Sequence, residues 1–182
     1  MGKKKLLNHK EIDIILNRLA CQLIENHDDF KDTVIIGLQP RGVYLSHRLQ
    51  KLLNEVYQIE HVKFGKLDIT FFRDDFMRSD KVLQANKTDI NFIVENKKVV
   101  FVDDVLYTGR SIRSALTAIQ SFGRPKSIEL LTLIDRRFSR HLPIQPDYKG
   151  RQVDAINRER VIVSWKENDG EDAVYLIQDQ DE

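Results

Sequence analysis

Residues 99 to 111 read Val-Val-Phe-Val-Asp-Asp-Val-Leu-Tyr-Thr-Gly-Arg-Ser. The adjacent carboxylates of Asp103 and Asp104 can orient hydroxyl groups or help to hold a hard cation. After the linkers Val105, Leu106 and Tyr107, the run Thr108, Gly109, Arg110, Ser111 offers hydroxyls and a flexible glycine backbone to an anion. Acids and anion loop must be brought together by the elements around them. Val99 to Val102 is an apolar, mostly β-branched run without polar alternation, which predicts a strand buried on both faces of a parallel sheet. The carboxyl ends of such strands border the binding crevice. Ile112 to Phe122 has the amphipathic pattern of a helix, so the unpaired N–H groups of its first turn fall at the Thr-Gly-Arg-Ser loop. A ligand with a phosphate at one end and hydroxyls or a metal a few ångströms away suits this arrangement, and a sugar phosphate has that shape. Paired acids at a strand end also occur in receiver-type signalling domains. A second anion loop is offered by Gln39-Pro40-Arg41-Gly42, which follows an apolar run and precedes another helical stretch. There Arg41 supplies a forked donor and Gly42 unusual backbone freedom.

Further elements surround these loops. Asn8 and Glu11 have the spacing of a capping box, and the apolar positions behind them predict a helix from about 9 to 26. Ile14 and Cys21 fall on its other side, where they touch a partner subunit or stay exposed. Thr33 to Leu38 is a buried strand, and Arg41 to Leu53 the helix after it. A turn at Asn54-Glu55 then leads into a β segment from Val56 to Phe72, broken near Gly65. Residues 73–89 are polar without periodicity and read as a mobile loop. The strand 98–103 and helix 110–122 follow, with Gly123 and Pro125 stopping the helix. Ser127 to Ile134 is another buried strand, ending at Asp135-Arg136-Arg137, and Pro143, Pro146 and Gly150 break the next segment. Two late runs, Arg160–Trp165 and Ala173–Gln178, flank an Asp-Gly hairpin signal at 169–170. The order predicts an α/β fold with an appended β element in one domain over 1–182.

Composition bounds the function classes. Basic residues number 29 and acidic ones 28, a net charge of +1, which argues against a chain that binds nucleic acid through overall basicity. Charge is nevertheless segregated: residues 136–160 carry seven Arg or Lys against three acids, and 161–182 one Lys against seven acids. The single cysteine excludes an internal disulfide or a cysteine-based zinc cluster. The lysines at 3–5 read as a solvated tail without a following apolar segment, and no run has the length of a membrane span, so a cytoplasmic location is expected.

The run from Asp103 to Ser111 resembles the phosphoribosyl-pyrophosphate (PRPP) motif of type I phosphoribosyltransferases. That resemblance implies a mainly parallel central sheet flanked by helices, with a small hood, here about 136–158, and a β-hairpin appendage. It implies that Thr108, Gly109, Arg110 and Ser111 hold the 5′-phosphate, with Val105, Leu106 and Tyr107 completing the loop. Asp103 and Asp104 would face the ribose hydroxyls beside a Mg2+ ion held through water. Pro40, Arg41 and Gly42 lie where the family binds pyrophosphate, and Arg41 joins the two acids as a catalytic residue. Arg73 would reach the donor from the loop over 73–89, which closes on substrate in the family. Arg136 and Arg137 would serve the base or pyrophosphate side.

The stretches Gly37–Leu45, Leu67–Asp75, Leu133–Arg136, Leu142–Ile144 and Asp147–Gly150 narrow the likeness. They resemble the pyrimidine-operon regulators that are also uracil phosphoribosyltransferases, implying PRPP and uracil as substrates, UMP and pyrophosphate as products, and a homodimer or larger assembly. A UMP-sensing, RNA-binding regulator acting by transcription attenuation, or transfer to another base, are the alternatives. The sequence departs from that pattern in places. Gln39-Pro40 stands for a usual Lys-Thr, and Gln145 and Cys21 for a usual Arg and His. The stretch 135–141 is altered, and Arg151 to Ile156 replaces the usual Ile-Pro-Thr-Ser region over the base.

Overall fold

The computed structural model describes residues 2–72, 86–156 and 158–178. Among these residues, the strands β1 (Lys3–Leu7), β2 (Thr33–Leu38), β3 (Lys63–Leu67), β4 (Lys98–Leu106), β5 (Ser127–Arg136), β6 (Tyr148–Val153), β7 (Glu159–Ser164) and β8 (Ala173–Gln178) form two sheets. The larger is parallel throughout, in the order β3-β2-β4-β5-β6, and the smaller is antiparallel, β1-β8-β7. Four helices accompany them: α1 (His9–His27), α2 (Gly42–Lys51), α3 (Arg110–Ile119) and the single turn α4 (Lys166–Asp169).

β4 is central, and its alternation shows why an uninterrupted apolar run was needed. Val100 and Val102 enter one core with α1, α2 and the small sheet, through Leu19, Leu45, Leu131 and Trp165. Val99 and Phe101 enter the other core with α3, through Ile112, Ala115 and Ile119. The strand is therefore covered on both faces, as expected for a parallel sheet. Asn8 caps α1 reciprocally with Glu11: its side chain accepts from the Glu11 N–H at 3.1 Å, and its own N–H donates to the Glu11 carboxylate at 2.8 Å.

Several local expectations give way to long-range pairing. The lysine-rich start is a strand rather than a tail, because β8 lies beside it and Tyr175 presents its ring 3.6 Å from Lys3 Nζ. The Asn54-Glu55 turn is instead a π-helical continuation of α2, Leu52–Val56. Of the β segment expected over 56–72, only β3 pairs, and Thr70–Phe72 is a short 3-10 turn. The late hairpin forms, but α4 joins its strands, and Gly170 serves as the left-handed C-cap of that turn, φ 80°. Within the 136–158 stretch, β6 belongs to the main sheet beside β5. The separate layer is β1-β8-β7. Residues 73–85, including Arg73, lie outside the described residues. Cys21 pairs its Sγ with the Tyr57 hydroxyl at 3.1 Å, while Ile14 is exposed.

Candidate active site

The carboxyl end of β4 carries Asp103 and Asp104 and runs through Leu106 into the loop that opens α3. Gly109 takes the left-handed conformation, φ 89°, at the helix N-cap, so a side chain here would be strained. The first turn of α3 leaves backbone N–H groups without intrahelical acceptors. Thr108 to Ser111, Asp103, Val105 to Tyr107, Ile112 and Ser114 line one cavity of about 250 Å³. The strand-end acid and the glycine loop expected to share a ligand therefore share a cavity.

The two acids take different environments. Asp103 is half-buried on the cavity, and its Oδ1 accepts from the Asp104 N–H at 3.0 Å. Asp104 is buried, and its Oδ2 accepts from Arg41 Nε at 3.3 Å. Burial holds the Asp104 carboxyl above its ordinary range, outweighing the downward pull of Arg41 and of the Val105 amide. Asp103 is thus the carboxylate that lines the cavity, and Asp104 the partner of Arg41. Among the described residues no three metal-ligating side chains cluster. A hard cation held here by Asp103 would fill its shell with water and substrate oxygens, which suits Mg2+.

Arg41 sits at the start of α2 after a cis Gln39–Pro40 bond, with Pro40 exposed. Gly42 lets the helix start press on β4: a side chain there would run into the Val102 carbonyl and come within 2.9 Å of Asp103 Cα. The Arg41 guanidinium does not line the loop cavity. Its Nη2 donates to the Asp169 carboxylate at 2.7 Å and to the Val163 carbonyl, tying the acidic pair to the small sheet.

Arg136 and Arg137 part company. Arg136 is buried, stacks on the Tyr107 ring at 3.8 Å and donates to the Ile156 carbonyl at 3.4 Å. Its Nε has no hydrogen-bond partner among the described residues, and burial pushes the guanidinium below its ordinary pKa. Arg137 is exposed, pairs with Asp154 at 2.8 Å and lines a different cavity, of about 330 Å³.

Sequence reading missed Arg140. Its Nη1 donates to the Tyr107 carbonyl at 2.6 Å and its Nη2 to Asp135 and to the Arg136 carbonyl. His141 N–H adds a bond to the Thr108 carbonyl at 3.0 Å, and Ile144 packs against Gly109. The segment after β5 therefore clamps the outer rim of the glycine loop. The arginine cluster at 136–140 was the only available signal.

Comparison with known proteins places this geometry. A family model described as phosphoribosyl transferase domain matches residues 2–168. Relatives named "Bifunctional protein PyrR" include one from Enterococcus faecalis, 37% identical over 97% of each chain. Another, from Gloeothece citriformis, is 43% identical over 95% of this chain and 96% of that one. Among solved structures, a Trypanosoma cruzi hypoxanthine phosphoribosyl transferase superposes with a TM-score of 0.72 at 16% identity, covering 97% of this chain and 91% of that one. A Staphylococcus aureus hypoxanthine phosphoribosyltransferase does so with a TM-score of 0.67 at 22% identity, covering 94% and 90%. Those two share the fold. The matched span holds the β4 acids, the glycine loop and the Arg41 turn alike, and the chain belongs to the type I phosphoribosyltransferase family, on its PyrR-like branch.

Proposed function

We propose that this chain transfers the phosphoribosyl group of PRPP to uracil, giving UMP and pyrophosphate. The observation that carries the reading is the single cavity in which Asp103 and the Thr108–Ser111 loop meet. The loop amides and hydroxyls bind the 5′-phosphate at the α3 N-terminus. Asp103 orients the ribose hydroxyls, and buried Asp104 keeps Arg41 beside them. Arg41 binds the pyrophosphate end. Asp103 would help to hold a Mg2+ ion, which when bound would supply charge neutralisation for the departing pyrophosphate. Displacement at C1′ by a base nitrogen needs no protein nucleophile, so these residues act by position and by fixed charge. Arg136 and Tyr107 form the side of the loop nearest β5 and offer donors to a base or pyrophosphate oxygen.

The resemblance of the sequence to regulators that are also uracil phosphoribosyltransferases supports uracil; the two solved hypoxanthine enzymes lie at 16% and 22% identity and bear on fold alone. Incubating the chain with Mg2+, PRPP and a panel of free bases, then quantifying nucleotide and pyrophosphate, tests this. Turnover with uracil foremost is expected, and failure with every base rejects the transferase reading. The bifunctional names of the relatives favour a second role, and the sequence resemblance offers one, UMP-dependent RNA binding that controls pyrimidine genes. Exposed Arg137 and Lys149 border one cavity on the basic stretch. Salt-dependent titration with pyrimidine-operon leader RNA, with and without UMP, checks it: no saturable binding at low salt removes this role.

A further inference from the structure

Arg41 is the only cation in the Gln39–Gly42 turn. Its donors are unequally committed: Nε goes to Asp104, Nη2 to Asp169 and the Val163 carbonyl, and Nη1 has no protein partner among the described residues. Asp169 is itself held from several directions. Its Oδ2 accepts from the Trp165 N–H at 3.0 Å as well as from Arg41, and its Oδ1 accepts from Asn168 Nδ2 at 2.9 Å. The α4 turn that carries it is anchored independently. Arg48 of α2 grips Glu167 and Asp172 at 2.7 Å each and lies 4.7 Å over the ring of Trp165, which is wholly buried. A rigid platform on the small sheet thus fixes one edge of a guanidinium whose other edge meets the main sheet.

We infer that Asp169 is a positioning residue for donor binding: it fixes the Arg41 guanidinium against Asp104 so that Nη1 is presented to the pyrophosphate end of the ligand. The inference rests on the reading of Arg41 as the pyrophosphate contact. With Asp169 removed, Arg41 keeps Asp104 but loses the second carboxylate that defines its plane, and a planar fork depends on orientation for its affinity. Asp169 never touches the reacting atoms, so its loss weakens binding more than turnover.

The test is calorimetric binding of magnesium pyrophosphate to the full chain and to Asp169→Ala, Asp169→Asn, Arg41→Ala and the double variant Arg41→Ala/Asp169→Ala. Asp169→Ala is expected to weaken binding about tenfold, the scale of one misaligned contact. Asp169→Asn keeps an acceptor for Arg41 and the Trp165 amide and falls between wild type and Asp169→Ala. The double variant binds no more weakly than Arg41→Ala, because the positioning residue has nothing left to position. In steady state the KM for PRPP rises while kcat stays within about twofold.

An equal further loss from Asp169→Ala in the Arg41→Ala background would show a merely structural role and overturn the inference. So would unchanged binding, or tighter binding as expected of an inhibitory latch, in a family where wild type binds normally. If Asp169→Ala does not fold, Asp169→Asn decides: wild-type affinity there overturns it. Wild-type protein that binds no pyrophosphate sinks the reading of the Arg41 turn and the inference together, which separates the two failures.

Discussion

The phosphate-loop wall of the cavity, residues 103–111, takes its backbone from neighbours in sequence: a strand end, a left-handed glycine and a helix start. The Arg41 wall, which lies outside that cavity, takes its form from contacts far along the chain, 63 positions to Asp104, 122 to Val163 and 128 to Asp169. The first can be read as a motif because short-range geometry suffices to aim its amides. The second exists only once two sheets have docked. A ligand spanning both walls therefore couples a locally specified anion loop to a globally assembled arginine, and disturbing either should leave a different signature.

Gly42→Ala breaks the contrast most directly, since it acts where the two walls touch. The added methyl meets main-chain atoms of Val102 and Asp103, which cannot move without displacing β4. A loss of about 3 kcal/mol in unfolding free energy is expected, the upper range for overpacking. Denaturant melts should show it, together with loss of transfer activity; wild-type stability would mean that α2 and β4 are not tightly apposed. Asp104→Asn should instead separate function from stability. It removes the charge facing Arg41 and is expected to lower kcat/KM for PRPP about 100-fold, as for loss of one preorganised electrostatic contact. Stability moves the other way. The native carboxyl holds its proton above the ordinary value of 3.8, so acidification through the window between the two values favours the folded state, and neutral pH carries a cost. Asp104→Asn removes that cost, so above the window its Tm should equal or exceed wild type. A Tm drop at neutral pH would show that ionised Asp104 stabilises the fold through Arg41.

These two residues also mark how far the sequence could be read. β4, α3 and their acids were visible because period and loop chemistry agree over a continuous stretch. Gly150 was read as a breaker, yet it lies inside β6, where a side chain would come within 2.7 Å of Ile15 Cγ2 and press on the Leu133 carbonyl. Its signal was close packing, and only the finished sheet shows against what. β1 looked like a tail for a related reason: its partner β8 is at the other end of the chain. Asp169 matched a turn signal, and local chemistry could not say that the turn would meet Arg41. Arg73 was legible as a candidate but lies outside the described residues.

The remaining tests sharpen the contrast within the loop wall. Arg140 is the side chain that bridges it to β5, joining the Tyr107 carbonyl to Asp135. Lysine keeps the charge but cannot reach both partners with a planar fork. Arg140→Lys should therefore raise the KM for PRPP about tenfold, the scale set by a loop shifted from its productive position. Unchanged KM, with the protein folded, would show that the loop holds itself. If so, the local wall is more self-sufficient than the clamp at 140–144 indicates.

Thr108→Ala gives the smallest effect and isolates the loop's own chemistry. Thr108 lines the cavity, and its Oγ1 lies 3.4 Å from the Arg110 N–H, at the outer limit of a hydrogen bond, so the hydroxyl contributes little to the loop's shape. Its backbone carbonyl, which receives His141 N–H, survives the substitution. On the proposed reading, what is lost is one neutral donor to a phosphate oxygen, worth about 1 kcal/mol, so the KM for PRPP should rise about fivefold with kcat and Tm unchanged. Combined with Asp169→Ala, the two effects should add, because the residues serve opposite ends of one ligand without touching. A clear departure from additivity in KM would mean that the two walls communicate through the protein, and the division between a local wall and an assembled one would have to be abandoned.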